Sequence, residues 1–124
     1  RKEIVKLLID HGADVNARDI ASRNTPLGST NDVDVVRWLV ERGADIDALQ
    51  ADGAPAIVGL IGNMRWDAAL YLIEKGANLD GRSVDGRSVD FYFNNWATGV
   101  NDSHPEKWFR VREAIAARRG QSPN

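Results

Sequence analysis

The sequence predicts an all-α protein built from repeats, a solenoid of stacked helix-turn-helix units with turns that project between them. One pattern carries this prediction. Two apolar residues, a polar pair and a glycine recur at residues 8–12, 39–43 and 72–76, so that successive glycines lie 31 and 33 residues apart. Glycine often ends a helix, because it adopts the left-handed backbone conformation at no steric cost. Apolar residues at helical spacing precede each glycine, and a period of this length is typical of stacked repeats.

The composition limits the class of protein and of partner. The chain has 124 residues, of which 43% are hydrophobic and 27% charged, as is ordinary for one globular domain. Its formal net charge of −2 produces no strong field, so we expect neither nucleic acid nor a membrane as a partner. The absence of cysteine excludes disulfides and thiolate zinc sites but leaves the compartment open. The longest mainly apolar run, residues 54–62, is much shorter than the roughly 20 residues that span a bilayer.

The first element is a helix over residues 2–11. Its apolar stripe is formed by Ile4, Val5, Leu7, Leu8 and Ile9. In a helix-turn-helix unit this is the second helix, and the helix that should pair with it would lie before Arg1. We therefore expect the native chain to extend upstream by at least one more helix.

The next unit begins with a projecting turn and has an unusually short first helix. Residues 13–24 are short and polar, which predicts a turn or β-hairpin finger. Thr25 and Pro26 then predict a helix start with Thr25 as its N-cap. That helix must be short, because a polar run follows at once, in which Asn31 is the predicted N-cap of a helix over residues 32–42. The apolar residues that this second helix should bury are Val33, Val35, Val36, Trp38, Leu39 and Val40.

These features together resemble the ankyrin repeat, whose unit of about 33 residues is a finger, a helix that opens Thr-Pro-Leu-His, a short turn and a second helix. The matching segments are the Thr-Pro-Leu of residues 25–27, the helical series 33–40, the Gly-Ala-Asp or Gly-Ala-Asn triplets and the Val-Asn-Ala of residues 15–17. One departure is clear. The chain between Thr25 and Gly43 is about one helical turn shorter than in the family, which affects the first helix of this unit.

Two later units follow the same period, since Asp52-Gly53 and Asp85-Gly86 lie 33 residues apart. The Ala-Pro-Ala-Ile of residues 54–57 stands at the first helix start, with an ambiguity of one residue in the alignment. The second helix is predicted over about residues 65–75, and its buried apolar residues are predicted to be Trp66, Ala69, Leu70, Leu72 and Ile73.

The third finger contains a duplication. The pentapeptide Gly-Arg-Ser-Val-Asp occurs at residues 81–85 and again at 86–90. The simpler interpretation is a finger whose two arms share turn-forming residues. The alternative is a paired basic contact formed by Arg82 and Arg87. An aromatic helix follows, and most of its aromatic side chains are expected in the core; they are Phe91, Tyr92, Phe93 and Trp96.

The last segment predicts a capping helix. Residues 97–102 read as an inserted loop, and the Ser-His-Pro-Glu of residues 103–106 forms a capping box. A helix over residues 105–119 should follow, with an apolar stripe formed by Trp108, Val111, Ala114 and Ile115. Its other face is charged, as the end of a stack requires. Arg118 and Arg119 suit the negative end of the helix dipole.

The resemblance implies a single ankyrin-repeat domain over residues 1–119 and a tail over residues 120–124. The implied units are the second half of a truncated repeat at 1–19, a shortened repeat at 20–51, a repeat at 52–84 and a C-terminal capping repeat with an inserted loop at 85–119.

Residues that could carry chemistry are sparse. The only histidines, His11 and His104, stand at a helix end and in the capping segment, and neither has a second ligand at a metal-binding spacing. The sequence has no phosphate-binding glycine loop, nucleophile elbow or His-Glu metal motif. The aspartates of the fingers are expected to form turns. We therefore predict no catalytic residue, no metal, no cofactor and no enzymatic activity.

The resemblance implies a module that binds a partner protein through its fingers and the concave face of its first helices, and that is otherwise monomeric. The alternative is a dedicated inhibitor or protective subunit that occupies the active-site cleft of an enzyme. The candidate partner-binding residues are Arg18, Asp19, Ser22, Arg23, Leu49, Gln50, Asp52, Asn63, Met64, Arg65, Arg82, Arg87, Tyr92 and Asn95.

Overall fold

The computed structural model describes residues 2–95 and 105–119. In chain order its helices are α1 (Lys2–Asp10), a 3₁₀ helix (Pro26–Ser29), α2 (Val33–Glu41), α3 (Ala56–Gly62), α4 (Trp66–Glu74), α5 (Val89–Asn95) and α6 (Pro105–Arg119). Within those two ranges no extended strand forms, and β-type pairing is limited to two isolated bridges, Leu49 with Pro55 and Arg82 with Ser88. No helix in the described ranges is long and apolar enough to cross a membrane.

The recurring sequence pattern is a helix ending, as predicted. Gly12, Gly43 and Gly76 have φ angles of 99°, 97° and 94° and follow α1, α2 and α4. After each glycine, an alanine N–H donates at 3.0 Å to a leucine carbonyl five residues back; the pairs are Ala13 with Leu8, Ala44 with Leu39 and Ala77 with Leu72. This is the Schellman closure, which satisfies carbonyls that a helix end otherwise leaves unpaired.

The helices form two layers. The 3₁₀ helix, α3 and α5 contact one another in sequence and form the inner layer, while α2, α4 and α6 form the outer layer. Each inner element also contacts an outer helix: the 3₁₀ helix packs on α2, α3 packs on α4, and Asp90 of α5 pairs with Arg119 of α6. This all-α, two-layer stack is the predicted fold class, because each amphipathic helix buries its apolar face against the opposite layer.

The first predicted helix start is confirmed in position, with Thr25 at the N-cap and Pro26 as the first helical residue, but it lacks the capping bond; the predicted start of α2 is one residue off. The Thr25 hydroxyl does not cap the 3₁₀ helix, because it accepts a hydrogen bond at 3.1 Å from the side-chain amide of Gln50 in the next unit. The N-cap of α2 is Asp32 rather than Asn31. Asp32 has an extended backbone, and its Oδ1 accepts a hydrogen bond at 2.8 Å from the N–H of Asp34.

The structure resolves the one-residue ambiguity at residues 54–57. Helix α3 begins at Ala56, which places Pro55 at the N-cap. Pro55 therefore corresponds to Thr25, and not to the proline at position 26. The two isolated bridges agree, since Pro55 and Ser88 occupy the same place in their units.

Side chains from both layers fill one core. Its largest fully buried members include Leu27, Leu39, Ile57, Ile61 and Leu72. From α6, Trp108, Val111 and Ile115 are buried and Ala114 packs at the edge, which confirms the predicted stripe. Burial of this apolar surface is the main driving force for stacking, at about 25 cal/mol per Å².

Some residues predicted in the core are only half-buried: Val33, Trp38, Val40 and Leu70. Trp38 shows what covers the part of such a side chain that is outside the core. Its ring packs against the core, and two cations lie over it, with the Lys6 ammonium 5.8 Å and the Arg42 guanidinium 4.8 Å from the ring centroid. In α5, Phe91 is also exposed and Tyr92 is half-buried, so these two aromatics are not interior residues.

The two arginines at the end of α6 reach beyond their own helix. Arg118 donates to the Ile73 carbonyl at 3.3 Å, near the end of α4. Arg119 donates to the Leu79 carbonyl at 2.8 Å and pairs with Asp80 at 3.1 Å and Asp90 at 2.6 Å. These contacts fasten α6 to the preceding unit, a role that the helix-dipole interpretation did not include.

Several predictions concern residues that the structure does not describe, or the exposed helix α1. The inserted loop, the first two residues of the capping box and the tail lie outside the described residues, as do Trp96, His104 and the side chain of Phe93. On α1, Ile4, Leu7 and Leu8 are all more than half exposed. The expectation of an upstream partner helix stays a prediction.

Candidate functional site

Three projecting turns share one construction, and we name them finger 1 (residues 18–24), finger 2 (49–54) and finger 3 (82–87). In each, the first residue of the tip donates its N–H to a carbonyl at the other side: Asp19 to Asn24 at 3.0 Å, Gln50 to Ala54 at 2.9 Å and Ser83 to Arg87 at 2.8 Å. A second backbone bond returns to the carbonyl of that first residue, from Arg23, Gly53 and Gly86 at 2.7, 2.9 and 2.9 Å. Finger 1 has four residues between its bonded pair, whereas fingers 2 and 3 have three. Finger 1 is therefore one residue longer at its tip.

One position in each tip requires a left-handed backbone. Gly53 and Gly86 occupy it with φ angles of 88° and 87°, but finger 1 has Arg23 there, with φ of 66°. A residue with a Cβ is strained in this conformation by about 1 kcal/mol or more relative to glycine. Finger 1 thus keeps an arginine at a position where the other two fingers have the unstrained residue.

Hydrogen bonds between fingers hold the tips in a row. The Ala51 N–H donates at 2.8 Å to the side-chain oxygen of Asn24, which joins finger 2 to finger 1. The Val84 N–H donates at 2.8 Å to the Asp52 carbonyl, which joins finger 3 to finger 2. The three tips therefore present one surface whose relative positions are set before any partner binds.

The tips carry exposed aliphatic side chains. Ile20 is 97% exposed and Val84 is 90% exposed. Each directly follows the residue whose N–H donates across its finger, Asp19 in finger 1 and Ser83 in finger 3. Leu49, at the base of finger 2, is 54% exposed. Large apolar groups that stand this free of the chain contribute nothing to the core and are available for contact with another molecule.

Two charged groups of finger 3, Arg87 and Asp85, neutralise one another. Arg87 pairs with Asp85 at 3.4 Å and lies 5.9 Å above the Phe91 ring. The pKa of Asp85 is held below its ordinary value, first because the Ser83 hydroxyl bonds to it and then because Arg87 is near. The pKa of Arg87 is raised, first by its hydrogen bond with Tyr92 and then by Asp85.

The other arginines of the fingers are not neutralised in this way. Arg18 donates at 2.9 Å to the backbone carbonyl of Arg23, which is an uncharged partner. The guanidinium groups of Arg23 and Arg82 form no hydrogen bond or ion pair with any residue of the described ranges. The duplication at residues 81–90 therefore gives two arginines in different states, Arg87 paired and Arg82 available, rather than a matched pair.

A shallow cavity of about 210 Å³ lies behind fingers 1 and 2, on the inner layer. Its lining is mostly small and includes Gly28, Ala51, Ala54, Ala56 and Gly59, with Asn24, Gln50 and Asp52 as polar members. A Cβ added to Gly59 would meet no atom within 4 Å, so the floor of the cavity is open. This groove borders the finger row and continues the same surface.

The structure places most of the candidate partner-binding residues on the fingers and a smaller group elsewhere. Arg18, Asp19, Ser22, Arg23, Leu49, Asp52, Arg82 and Arg87 all lie on the fingers and are exposed. Asn63, Met64 and Arg65 are exposed too, but they form the turn at the opposite end of α3. The side chain of Asn95 lies outside the described residues.

Two candidates have roles within the chain. Gln50 is half-buried and spans two units, donating to the Thr25 hydroxyl and accepting at 2.9 Å from the Thr25 N–H. Tyr92 packs so closely on Gly62 that a Cβ there would lie 2.7 Å from the tyrosine ring. Both side chains therefore position neighbouring elements. The sequence reasoning missed Ile20 and Val84, although an aliphatic residue inside a polar turn is a visible signal.

No catalytic arrangement emerges from the described residues. None of their histidine or carboxylate side chains form a cluster of three that could hold a metal ion. His11 bonds through Nδ1 to the Leu7 carbonyl at 2.9 Å, at the end of its own helix. The Oδ1 atoms of Asp19 and Asp52 accept backbone N–H groups two residues ahead, at 2.8 and 3.0 Å, which is the predicted turn-forming role.

A two-layer helical stack with a row of fingers defines a repeat solenoid, and the comparisons show which family of repeats it is similar to. The family model described as ankyrin repeat matches residues 1–20 and 22–50. The ankyrin repeat protein FPV233 of Fowlpox virus (strain NVSL) is 46% identical over 52 residues. The crystal structure of the ankyrin repeat domain of Bcl-3, described as a unique member of the IkappaB protein family, matches with a TM-score of 0.65 and 27% identity. Residues 1–20 and 22–50 thus match the ankyrin repeat, and the described stack shares the fold of an ankyrin repeat domain.

These matches cover different shares of each molecule. The viral match covers 39% of this chain and 10% of the viral protein. The structural match covers 73% of this chain and 41% of the Bcl-3 domain. Ankyrin repeats are generally protein-protein interaction modules that lack catalytic activity, and the partners of these larger proteins are not thereby partners of this chain.

Proposed function

We propose that the chain binds a partner protein without catalysing a reaction, through its three fingers and the groove beside them. The observation that carries this proposal is the finger row. The tips are joined by hydrogen bonds from Ala51 to Asn24 and from Val84 to Asp52, and they expose aliphatic groups and arginines together. A prearranged surface of this kind lowers the entropy that must be lost on binding.

The chemistry of the surface supports contact with a protein. Stable interfaces combine an apolar centre with a polar rim, and arginine is enriched among the residues that contribute most to binding. On this row Leu49 and Val84 supply apolar area, and Arg18, Arg23 and Arg82 supply the rim. The groove could accept a side chain of the partner at Gly59, where no atom lies within 4 Å of an added Cβ.

Site-specific photo-crosslinking tests the proposal. A photoreactive amino acid is placed at Leu49 in one variant and at Glu41, an exposed residue of outer helix α2, in the matched control. Both variants are irradiated in an extract of the native host. We expect one stoichiometric protein adduct from the Leu49 variant and none from the Glu41 variant. An adduct from Glu41 alone would move the binding surface to the outer layer, and no adduct from either would remove the proposed function.

Inhibition or protection of an enzyme is the second candidate, and finger 1 is the feature that favours it. Its tip is one residue longer than those of the other fingers, and Arg18 braces it by donating to the Arg23 carbonyl at 2.9 Å. A braced, projecting loop is the kind of element that enters a cleft. If the crosslinked partner is an enzyme, its activity should fall as the chain is titrated in, and deletion of Ser22 should weaken that inhibition. Undiminished activity at saturation would exclude this role.

A further inference from the structure

Finger 1 departs from the other two fingers in a way that concentrates charge and apolar area at its tip. It has an additional residue, it carries Ile20 at 97% exposure, and it holds Arg23 in the left-handed conformation where its counterparts have Gly53 and Gly86. Glycine would relieve the strain at this position. The Arg23 backbone is bonded to Asp19 and Arg18, but its guanidinium forms no hydrogen bond or ion pair with the described residues, so a use outside the chain would explain why this strained arginine is present.

The surrounding charges indicate what that guanidinium would meet. Arg18 and Arg23 stand together on finger 1 and have no carboxylate paired with them among the described residues. Asp19 is the nearest acid in sequence, but its Oδ1 is engaged by the Ala21 N–H at 2.8 Å. At the other end of the row, Arg82 is likewise unpaired, whereas Arg87 is neutralised by Asp85.

We propose that the finger row binds an acidic segment of the partner protein that also carries aliphatic or aromatic side chains. Its carboxylates pair with Arg23 and Arg18 at one end and with Arg82 at the other, and its apolar side chains contact Ile20, Leu49 and Val84 between them. This inference rests on the proposed function and adds the chemistry of the partner. Guanidinium and carboxylate form bidentate, charge-assisted hydrogen bonds, which supply orientation as well as affinity.

A nucleic acid would also present anions to these arginines, but two observations disfavour it. The chain has a formal net charge of −2, so it has no general attraction for a polyanion. The positions between the arginines are aliphatic, and a phosphate backbone makes no use of exposed Ile20 and Val84. An acidic, apolar peptide satisfies both kinds of group.

The test uses a displayed library of random peptides selected on the whole chain. We expect the enriched peptides to contain Asp or Glu close to Ile, Leu, Val or Phe. Their affinities are then measured by calorimetry for the parent and for Arg23→Gly, Arg23→Lys and Arg110→Gln. Arg23→Gly should melt at a higher temperature than the parent because it relieves strain, yet bind about tenfold or more weakly because one charge-assisted hydrogen bond is lost. This combination excludes misfolding as the cause of weaker binding.

The other variants are matched controls. Arg23→Lys keeps the charge and should retain most of the affinity, and Arg110→Gln, which removes an exposed arginine from α6, should change it less than twofold. Affinity should also fall as salt is raised. Enriched peptides without acids, or equal binding to Arg23→Gly, would overturn the inference. If the enriched peptides bound equally to Arg23→Gly but lost binding on Leu49→Ala, the proposed function would stand without the inference. If no peptide depended on any finger residue, the proposed function and the inference would both be refuted. An oligonucleotide that bound more tightly than the selected peptides would overturn it in favour of nucleic acid.

Discussion

Replacing Trp38 with alanine measures how much a half-buried aromatic residue contributes to the outer layer. The natural comparison is Trp66→Ala, since Trp66 opens α4 and is only 5% exposed. The two substitutions remove the same atoms, and they differ in how much of the ring is in contact with water. Trp38 also has cations over its ring, from Lys6 at 5.8 Å and Arg42 at 4.8 Å.

The magnitudes follow from burial. A fully buried tryptophan costs roughly 3 to 5 kcal/mol when truncated to alanine, and about 4 kcal/mol is expected for Trp66. Trp38 leaves no closed cavity, because water can enter the vacated space, so its apolar contribution is about half of that value, near 2 kcal/mol. The loss of its exposed cation–π contact with Arg42 adds about 0.5 kcal/mol, whereas Lys6 lies near the distance limit of such contacts and is neglected. We therefore expect Trp38→Ala to cost about 2.5 kcal/mol.

The assay is urea unfolding followed by far-ultraviolet circular dichroism, which does not depend on the tryptophan that is removed. A second measurement isolates the cation. In the background of Arg42→Met, the cost of Trp38→Ala should be smaller by about 0.5 kcal/mol, the coupling expected of one exposed cation–π pair. If Trp38→Ala cost as much as Trp66→Ala, the ring would belong to the core after all. Absence of any coupling would show that Arg42 only lies near the ring.

Two further predictions concern glycine and pH. Gly59→Ala should stabilise α3 by up to about 1 kcal/mol, because no atom lies within 4 Å of the added methyl group. Gly62→Ala should instead destabilise the fold, because its methyl group would lie 2.7 Å from the Tyr92 ring. Urea midpoints test both, and equal shifts of the same sign would contradict them. The Asp85 carboxyl, followed by NMR, should titrate below its ordinary pKa of 3.8. Because the folded-state pKa of Asp85 is lowered, the ionised carboxylate stabilises finger 3 above pH 3.8, and this stabilisation is lost as pH falls through the lowered value. Ser83→Ala should raise the titration midpoint of Asp85, and an unchanged midpoint would refute the assigned cause.

The outer helices could be predicted from the sequence because their signals are local. A helix stripe, a glycine with positive φ and the following alanine lie within a few residues of one another, and the same closure forms at Gly12, Gly43 and Gly76. The bounds of α6 and its buried stripe were predictable for the same reason. Local patterning and local conformational preference agree at these places, which is the condition for reading structure directly from sequence.

The helix starts and the fingers could not be predicted to the same detail, because their partners are distant in sequence. Thr25 has the composition of an N-cap, yet its hydroxyl is occupied by Gln50 from the following unit. The strain at Arg23 is equally hidden, since only the backbone reveals that it occupies the place of Gly53. Of the candidate site, the sequence could place candidate residues on the fingers but could not show which arginines remain unpaired.

The same long-range hydrogen bonds explain why a short stack can present a defined surface. Asn16 accepts the Asp45 N–H at 2.7 Å, and Asp47, one unit later, accepts the Asn78 N–H at 2.8 Å. At the next equivalent position Asp80 receives its donor from the Arg119 guanidinium at 3.1 Å. A side chain of α6 thus does for the last loop what a backbone N–H does for the earlier ones. A hydrogen bond to one side chain therefore holds the loop beneath each of the three fingers. Substitution of Asn16, Asp47 or Asp80 should make the finger row less rigid and weaken partner binding, although none of these residues lies on a finger.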